Sequence, residues 1–177
     1  MKKTLLVALA MVMSTMAFAQ DGKLAVGVNV NYGFGAGPGY GLENYSAPGF
    51  GVKFQYEFVR NVRGEASFNY FLPKKYYGMK GLNFYDVNLN FHYLFNVGEK
   101  FRLYPLVGLS YETLAFTSDW KKFIETYGGD ASDSKMGVNL GGGAEYMIGN
   151  HFKLNAEIKY QTNIDWPVLG IGAAYCF

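Results

Sequence analysis

The chain alternates apolar and polar residues with a period of two, and it does so in eight separate segments. Successive side chains of a β-strand point to opposite faces, so each segment reads as a strand with one apolar and one polar side. The first, Leu24 to Phe34, sets Leu24, Val26, Val28, Val30, Tyr32 and Phe34 against Ala25, Gly27, Asn29, Asn31 and Gly33. The pattern recurs over 50–58, 62–72, 85–95, 101–113, 136–148, 152–160 and 166–177. No apolar face in the set carries a charge. The polar faces carry Lys53, Arg63, Arg102, Lys153 and Lys159, together with Glu57, Glu65, Asp86, Glu112, Glu145 and Glu157.

Two environments suit such strands. In a soluble sandwich or lipocalin-like barrel the apolar faces turn inward and the polar faces meet water. In an outer-membrane barrel the sheet is inverted, with apolar side chains toward lipid and polar ones toward the lumen. The second fits better, because the polar faces are rich in Gly, Asn and charges of both signs, and because aromatic residues gather at the segment ends. Tilted strands of roughly 9–11 residues span such a membrane.

The connections give the orientation. Gly35–Gly49, Pro73–Phe84, Leu114–Lys135 and Gln161–Asp165 alternate with Val59–Asn61, Asn96–Lys100 and Gly149–His151, and the three long connections all fall in the first set. Short turns belong to the periplasmic side and long loops to the outside. The expected fold is all-β, an eight-stranded antiparallel up-and-down transmembrane β-barrel with both termini periplasmic. Two aromatic girdles are expected: Phe58, Tyr93, Phe95, Phe101, Tyr146, Phe152, Tyr175 and Phe177 on the inner rim, and Tyr32, Phe34, Phe50, Tyr70, Tyr85, Tyr111 and Tyr160 on the outer.

The segment before the first strand reads as an address. Lys2 and Lys3 precede an uncharged apolar run from Thr4 to Met16, and Ala17-Phe18-Ala19 follows as a small-x-small cleavage site. The run is shorter than the roughly 20 residues of a spanning helix. Residues 1–19 are therefore expected to be a cleaved signal peptide, with 20–177 as the barrel domain. Loss of Lys2 and Lys3 removes the formal net charge of +2, and no basic stripe remains to hold nucleic acid. The single Cys, Cys176, allows neither an internal disulfide nor a Cys-cluster metal site.

These eight segments, the signal pattern and a final aromatic residue resemble the porin-family outer-membrane β-barrel domains typified by OmpX and the barrel of OmpA. The stretch Gly137-Val138-Asn139-Leu140-Gly141-Gly142-Gly143-Ala144-Glu145-Tyr146 looks like the penultimate-hairpin segment of such domains. Tyr175 and Phe177, in the closing Tyr175-Cys176-Phe177, look like the C-terminal assembly signal. The resemblance implies insertion by the barrel-assembly machinery into the bacterial outer membrane. It implies no particular activity, because one fold hosts many functions.

An eight-stranded barrel is narrow enough to be filled by its own side chains. The eleven lumen charges are expected to form a salt-bridged plug, since a dry lumen does not hold unpaired charges. Glu57 should face Arg63 across the first short turn, and Glu145 should lie diagonally from Lys153 across the third. The alternative is a narrow path for minor solutes past Lys53, Glu65, Asn90 and Ser110. A third reading, a lipid A-modifying enzyme, needs a His with Ser and acid partners near the outer rim. His151 falls in a periplasmic turn, and His92 falls in the lumen roughly opposite Tyr104, where it reads as a packing residue. No catalytic residue, cofactor or metal ligand is therefore assigned. The Gly33–Gly41 run lacks the GK[ST] ending of a phosphate loop and reads as an outer loop.

In the longest loop Trp120, Phe123, Ile124 and Tyr127 fall at i, i+3, i+4 and i+7, between a candidate cap at Ser118 and Gly128. This predicts a short amphipathic helix that rests on the rim or outer leaflet or docks an extracellular partner. Lys74, Lys75 and Lys80 beside Tyr76 and Tyr77 suit anionic lipopolysaccharide headgroups. A monomer acting through its outer loops, in surface interaction or envelope integrity, is the expected function.

Overall fold

The computed structural model describes residues 24–35, 46–73, 75–76, 79–80, 82–116, 132–162 and 164–177. The expected signal peptide, the loop residues Trp120, Phe123, Ile124 and Tyr127, and Lys74 and Tyr77 lie outside them. Lys75–Tyr76 and Met79–Lys80 form a two-stranded ribbon of backbone.

Eight long strands build the molecule: β1 (Leu24–Gly33), β2 (Ala47–Val59), β3 (Val62–Phe71), β4 (Leu82–Tyr93), β5 (Phe101–Phe116), β6 (Ser132–Ile148), β7 (Phe152–Gln161) and β8 (Trp166–Cys176). Each pairs antiparallel with the next, and β1 pairs with β8 to close the barrel. Closure leaves no long edge with unpaired N–H and C=O groups, the condition for a sheet in hydrocarbon. The β2–β3 turn is two residues long and requires a positive φ at Asn61, which is 73°. Asn tolerates that conformation through its short polar side chain.

The alternation of parity is also an alternation of environment, turned inside out. Val30 and Ile171 are 67% and 63% exposed, whereas Asp86, Asn88 and Asn139 are 0% exposed. A soluble barrel requires the opposite. Aromatic pairs mark both rims: Phe152 with Tyr175 and Tyr175 with Phe177 on the inner one, Tyr32 with Phe34 and Phe50 with Tyr70 on the outer. The first and last described residues, Leu24 and Phe177, sit on the short-turn side. There Phe177 N–H donates to Leu24 O at 2.9 Å and Cys176 N–H to His151 O at 2.7 Å, so the last residues are tied to β1 on one side and to the β6–β7 turn on the other.

β2, β4, β5 and β6 are longer at their outer ends than the alternation predicts. Ser132 to Lys135 carry no apolar parity and read as loop, yet they pair with Glu112 to Ala115 and extend β6 to 17 residues and β5 to 16. Beyond the lipid both faces meet water, so backbone pairing continues where the side-chain pattern no longer records it.

Candidate functional site in the barrel lumen

The lumen is filled by three successive layers. Near the short turns, Glu145 gathers three cations. Arg63 Nη1 lies 2.6 Å and Lys153 Nζ 3.6 Å from its Oε2, and Arg102 Nη2 lies 2.5 Å from its Oε1. Arg102 also holds the half-buried Glu57 at 2.8 Å. Arg63 donates to His92 Nδ1, 3.1 Å from Nε and 2.9 Å from Nη2, and its guanidinium stands 4.9 Å over the Tyr104 ring. His92 stacks on that ring at 4.7 Å, and the Tyr104 hydroxyl donates to Glu157 at 3.1 Å. A Cβ at Gly143 would collide with the Tyr104 hydroxyl, which gives the glycine run of β6 a steric reason. Below this layer a vestibule of about 290 Å³ opens to the inner side, lined by Gln55, Glu57, Glu99, Arg102 and Lys153 among others.

The middle layer is a mixed amide and ion-pair web. Glu65 receives Lys53 Nζ at 3.5 Å, Gln55 Nε2 at 2.7 Å and Asn90 Nδ2 at 3.3 Å. Further outward amides gather round Asp86. Asp86 accepts from Asn69 at 2.6 Å, Asn88 at 2.6 Å and Gln161 at 3.0 Å. Asn139 donates to Asn88 and Asn90, both at 2.9 Å, and Asn31 donates to Asn69 at 2.7 Å.

The outermost layer is apolar. Trp166, Phe71 and Phe84 meet with ring centroids 4.6–5.2 Å apart, enclosed by Ala47, Ile164 and Val168. Gly33 and Gly49 make room for it, because a Cβ on either would enter the Trp166 or the Phe71 ring.

The structure thus brings most of the expected lumen charges together and changes one pairing. Glu57 and Arg63 are cross-strand partners as predicted, but neither pairs with the other. Arg63 reaches across the barrel to Glu145, and Glu57 takes Arg102 instead. The buried carboxylate attracts the buried guanidinium more strongly than the rim one does, because the interior screens charge less. Glu145 and Lys153 pair diagonally, as expected. Glu112 and Lys159 are buried lumen residues of the outer half. Sequence reasoning missed the aromatic layer and the amide web. Their signal was present, in Phe71, Tyr104 and Trp166 standing on otherwise polar faces.

Glu65, His92 and Glu157 place one ligand-type atom each within 4.8 Å of the others. A metal needs a free imidazole nitrogen. His92 Nδ1 accepts from Arg63, so the proton sits on Nε2, which has no partner. The trio therefore presents a donor between two carboxylates rather than three lone pairs.

A closed eight-stranded barrel with an apolar exterior, two aromatic girdles and a polar, self-filled interior is the architecture of an integral protein of the bacterial outer membrane. The chain belongs to the outer membrane protein beta-barrel domain family, whose model matches residues 5–177. No curated protein matches the sequence. Solved structures agree in fold. One is Ail, the attachment invasion locus protein of Yersinia pestis, in complex with the heparin analogue sucrose octasulfate (21% identity, 89% of this chain and 100% of that one, TM-score 0.61). Another is Neisserial surface protein A (14%, 87% and 97%, 0.65). A third is OprG from Pseudomonas aeruginosa (16%, 89% and 97%, 0.57).

Proposed function

We propose that the protein is a non-enzymatic, monomeric barrel whose lumen is a structural plug and whose work is done by its outer loops, in surface interaction or envelope integrity. The observation that carries this reading is the stack of unlike seals, an aromatic layer at the outer end and the Glu145 ion cluster at the inner. A solute would have to displace both. The β5–β6 ribbon, at 16 and 17 residues the longest strand pair among the described residues, supports an outward-facing role. The basic second loop fits anionic lipopolysaccharide headgroups, and the closing residues Tyr175 and Phe177 fit recognition by the barrel-assembly machinery. Ail, of the same fold, was solved with a polysulfated sugar, which makes anionic surface glycans a reasonable class of partner.

Single-channel recording in a planar bilayer tests the plug. A barrel verified as folded by its heat-dependent gel mobility should stay electrically silent. Reproducible discrete steps that change with Glu65→Gln would establish the pore reading instead.

A further inference from the structure

The outer half of the lumen leaves a set of oxygens without donors. Both carboxylate oxygens of Glu112, the Ser110 hydroxyl and the side-chain carbonyl oxygens of Asn139 and Gln161 are buried with no hydrogen-bond partner. Their residues are 2%, 1%, 0% and 0% exposed. These atoms belong to one neighbourhood. Glu112 is the cross-strand partner of Asp86, Ser110 of Asn88, and Gln161 of Asn139. Gln161 Nε2 reaches Asp86 Oδ2 at 3.0 Å, and Asn139 Nδ2 reaches Asn88 Oδ1 at 2.9 Å.

The amide orientations are fixed by what they touch. Gln161 must present its NH₂ to the Asp86 carboxylate, and Asn139 must present its NH₂ to two amide oxygens. Their carbonyl oxygens are therefore left over as acceptors. Even with the Ser110 hydroxyl turned to donate to Glu112, one carboxylate oxygen and two amide oxygens still lack a donor. The charge is unbalanced in the same way. Asp86 and Glu112 stand side by side, and Lys159, the cation acting on Glu112, is shared with Glu65. Apart from the Ser110 hydroxyl, no hydrogen-bond donor reaches the Glu112 oxygens. Buried polar groups are normally satisfied, and a concentration of exceptions of one kind calls for a ligand of the opposite kind.

We propose that this layer binds one hard cation of the Ca²⁺ type, held by Glu112 with the oxygens of Ser110, Asn139, Gln161 and Asp86. Calcium takes six to eight oxygen ligands in loose geometry and accepts carboxylate, amide carbonyl, hydroxyl and water oxygens together. The donor set contains no nitrogen or sulfur ligand, which disfavours zinc and copper. Bound there, the ion neutralises the Asp86–Glu112 pair and cross-links β4, β5, β6 and β7 just beneath the aromatic cap. It would stiffen the outer end of the barrel.

Isothermal titration with CaCl₂ tests this, on the full protein extracted from outer membranes, stripped of divalent ions with a chelator and held in a zwitterionic detergent. One Ca²⁺ per chain is expected, with a rise in the temperature of the heat-dependent gel shift. Glu112→Gln should weaken binding at least tenfold and abolish that rise. Glu99→Gln, at the opposite mouth, should change neither. Absence of Ca²⁺ uptake, or equal uptake by Glu112→Gln, would overturn the proposal and leave buried water as the partner of these oxygens. If Glu112→Gln fails to fold, Gln161→Leu serves as the second variant, with the same tenfold loss expected and an unchanged affinity refuting the site.

Discussion

The two ends of the lumen solve one problem by opposite means. At the inner end polar faces converge on a buried anion, Glu145, which three cations surround, with Arg63 further held by His92 and Tyr104. At the outer end the same strand parity delivers Trp166, Phe71 and Phe84, and the section is closed by packed rings. Between them amides pass hydrogen bonds from strand to strand. Parity therefore assigns a side chain to the lumen but does not assign its chemistry. What matters is that each end is filled, by ion pairs where Arg and Lys converge and by rings where glycine leaves space.

The comparison breaks most severely at Glu145. Glu145→Gln keeps the volume but leaves Arg63, Arg102 and Lys153 facing one another without the anion between them. Removing one partner of a buried ion group is strongly destabilising, here by about 4 kcal/mol. Urea unfolding in detergent micelles, followed by tryptophan fluorescence, measures it. A loss under about 1 kcal/mol would show that the cluster is solvated rather than a seal.

At the other end, Trp166→Ala removes the ring that touches both Phe71 and Phe84. Truncation of a buried Trp costs about 3 kcal/mol, with the exact loss set by how far the cavity collapses. Unlike Glu145→Gln, it leaves every lumen ion pair intact. The variant should therefore remain non-conducting in a planar bilayer, because the Glu145 cluster still closes the inner section. Discrete conductance in Trp166→Ala would show that the aromatic layer is the only seal.

How much of this was legible in the sequence follows from which physical rule each residue obeys. Period-two alternation put Val28, Val30 and Ile171 on the faces opposite to those of Lys53, Glu65 and Asp86, and the Gly, Asn and mixed charges of the polar faces turned those faces to the lumen. The short turns fixed adjacency, and with it the Glu145–Lys153 diagonal. The choice of partner for Arg63 was not legible, since a guanidinium on a long stem reaches across a narrow lumen to a strand that sequence spacing does not make its neighbour. Phe84 was read as loop because β4 continues past the lipid, where alternation stops reporting. Trp166 and Phe71 were visible as apolar residues on polar faces. Their glycine partners, Gly33 and Gly49, were visible too, but only the register shows that each pair occupies one site. The outer-loop residues Trp120, Phe123, Ile124 and Tyr127 lie outside the described residues.

The smallest effect sharpens the contrast within the inner end itself. Arg102 holds two carboxylates, Glu145 and Glu57, at 2.5 and 2.8 Å, so distance alone makes them equivalent. They differ in surroundings: the Glu145 side chain is 0% exposed and that of Glu57 is 26%. Water at the vestibule screens the Glu57–Arg102 pair and solvates Arg102 when its partner is neutral. Glu57→Gln should then cost at most about 1 kcal/mol, in the range of solvent-exposed pairs, and the cost should shrink further at high salt. The same urea titration, run at low and at molar NaCl, measures both. A salt-independent loss comparable with that of Glu145→Gln would mean that the vestibule is dry and that the seal begins at the rim, one layer lower than Arg63 and Glu145.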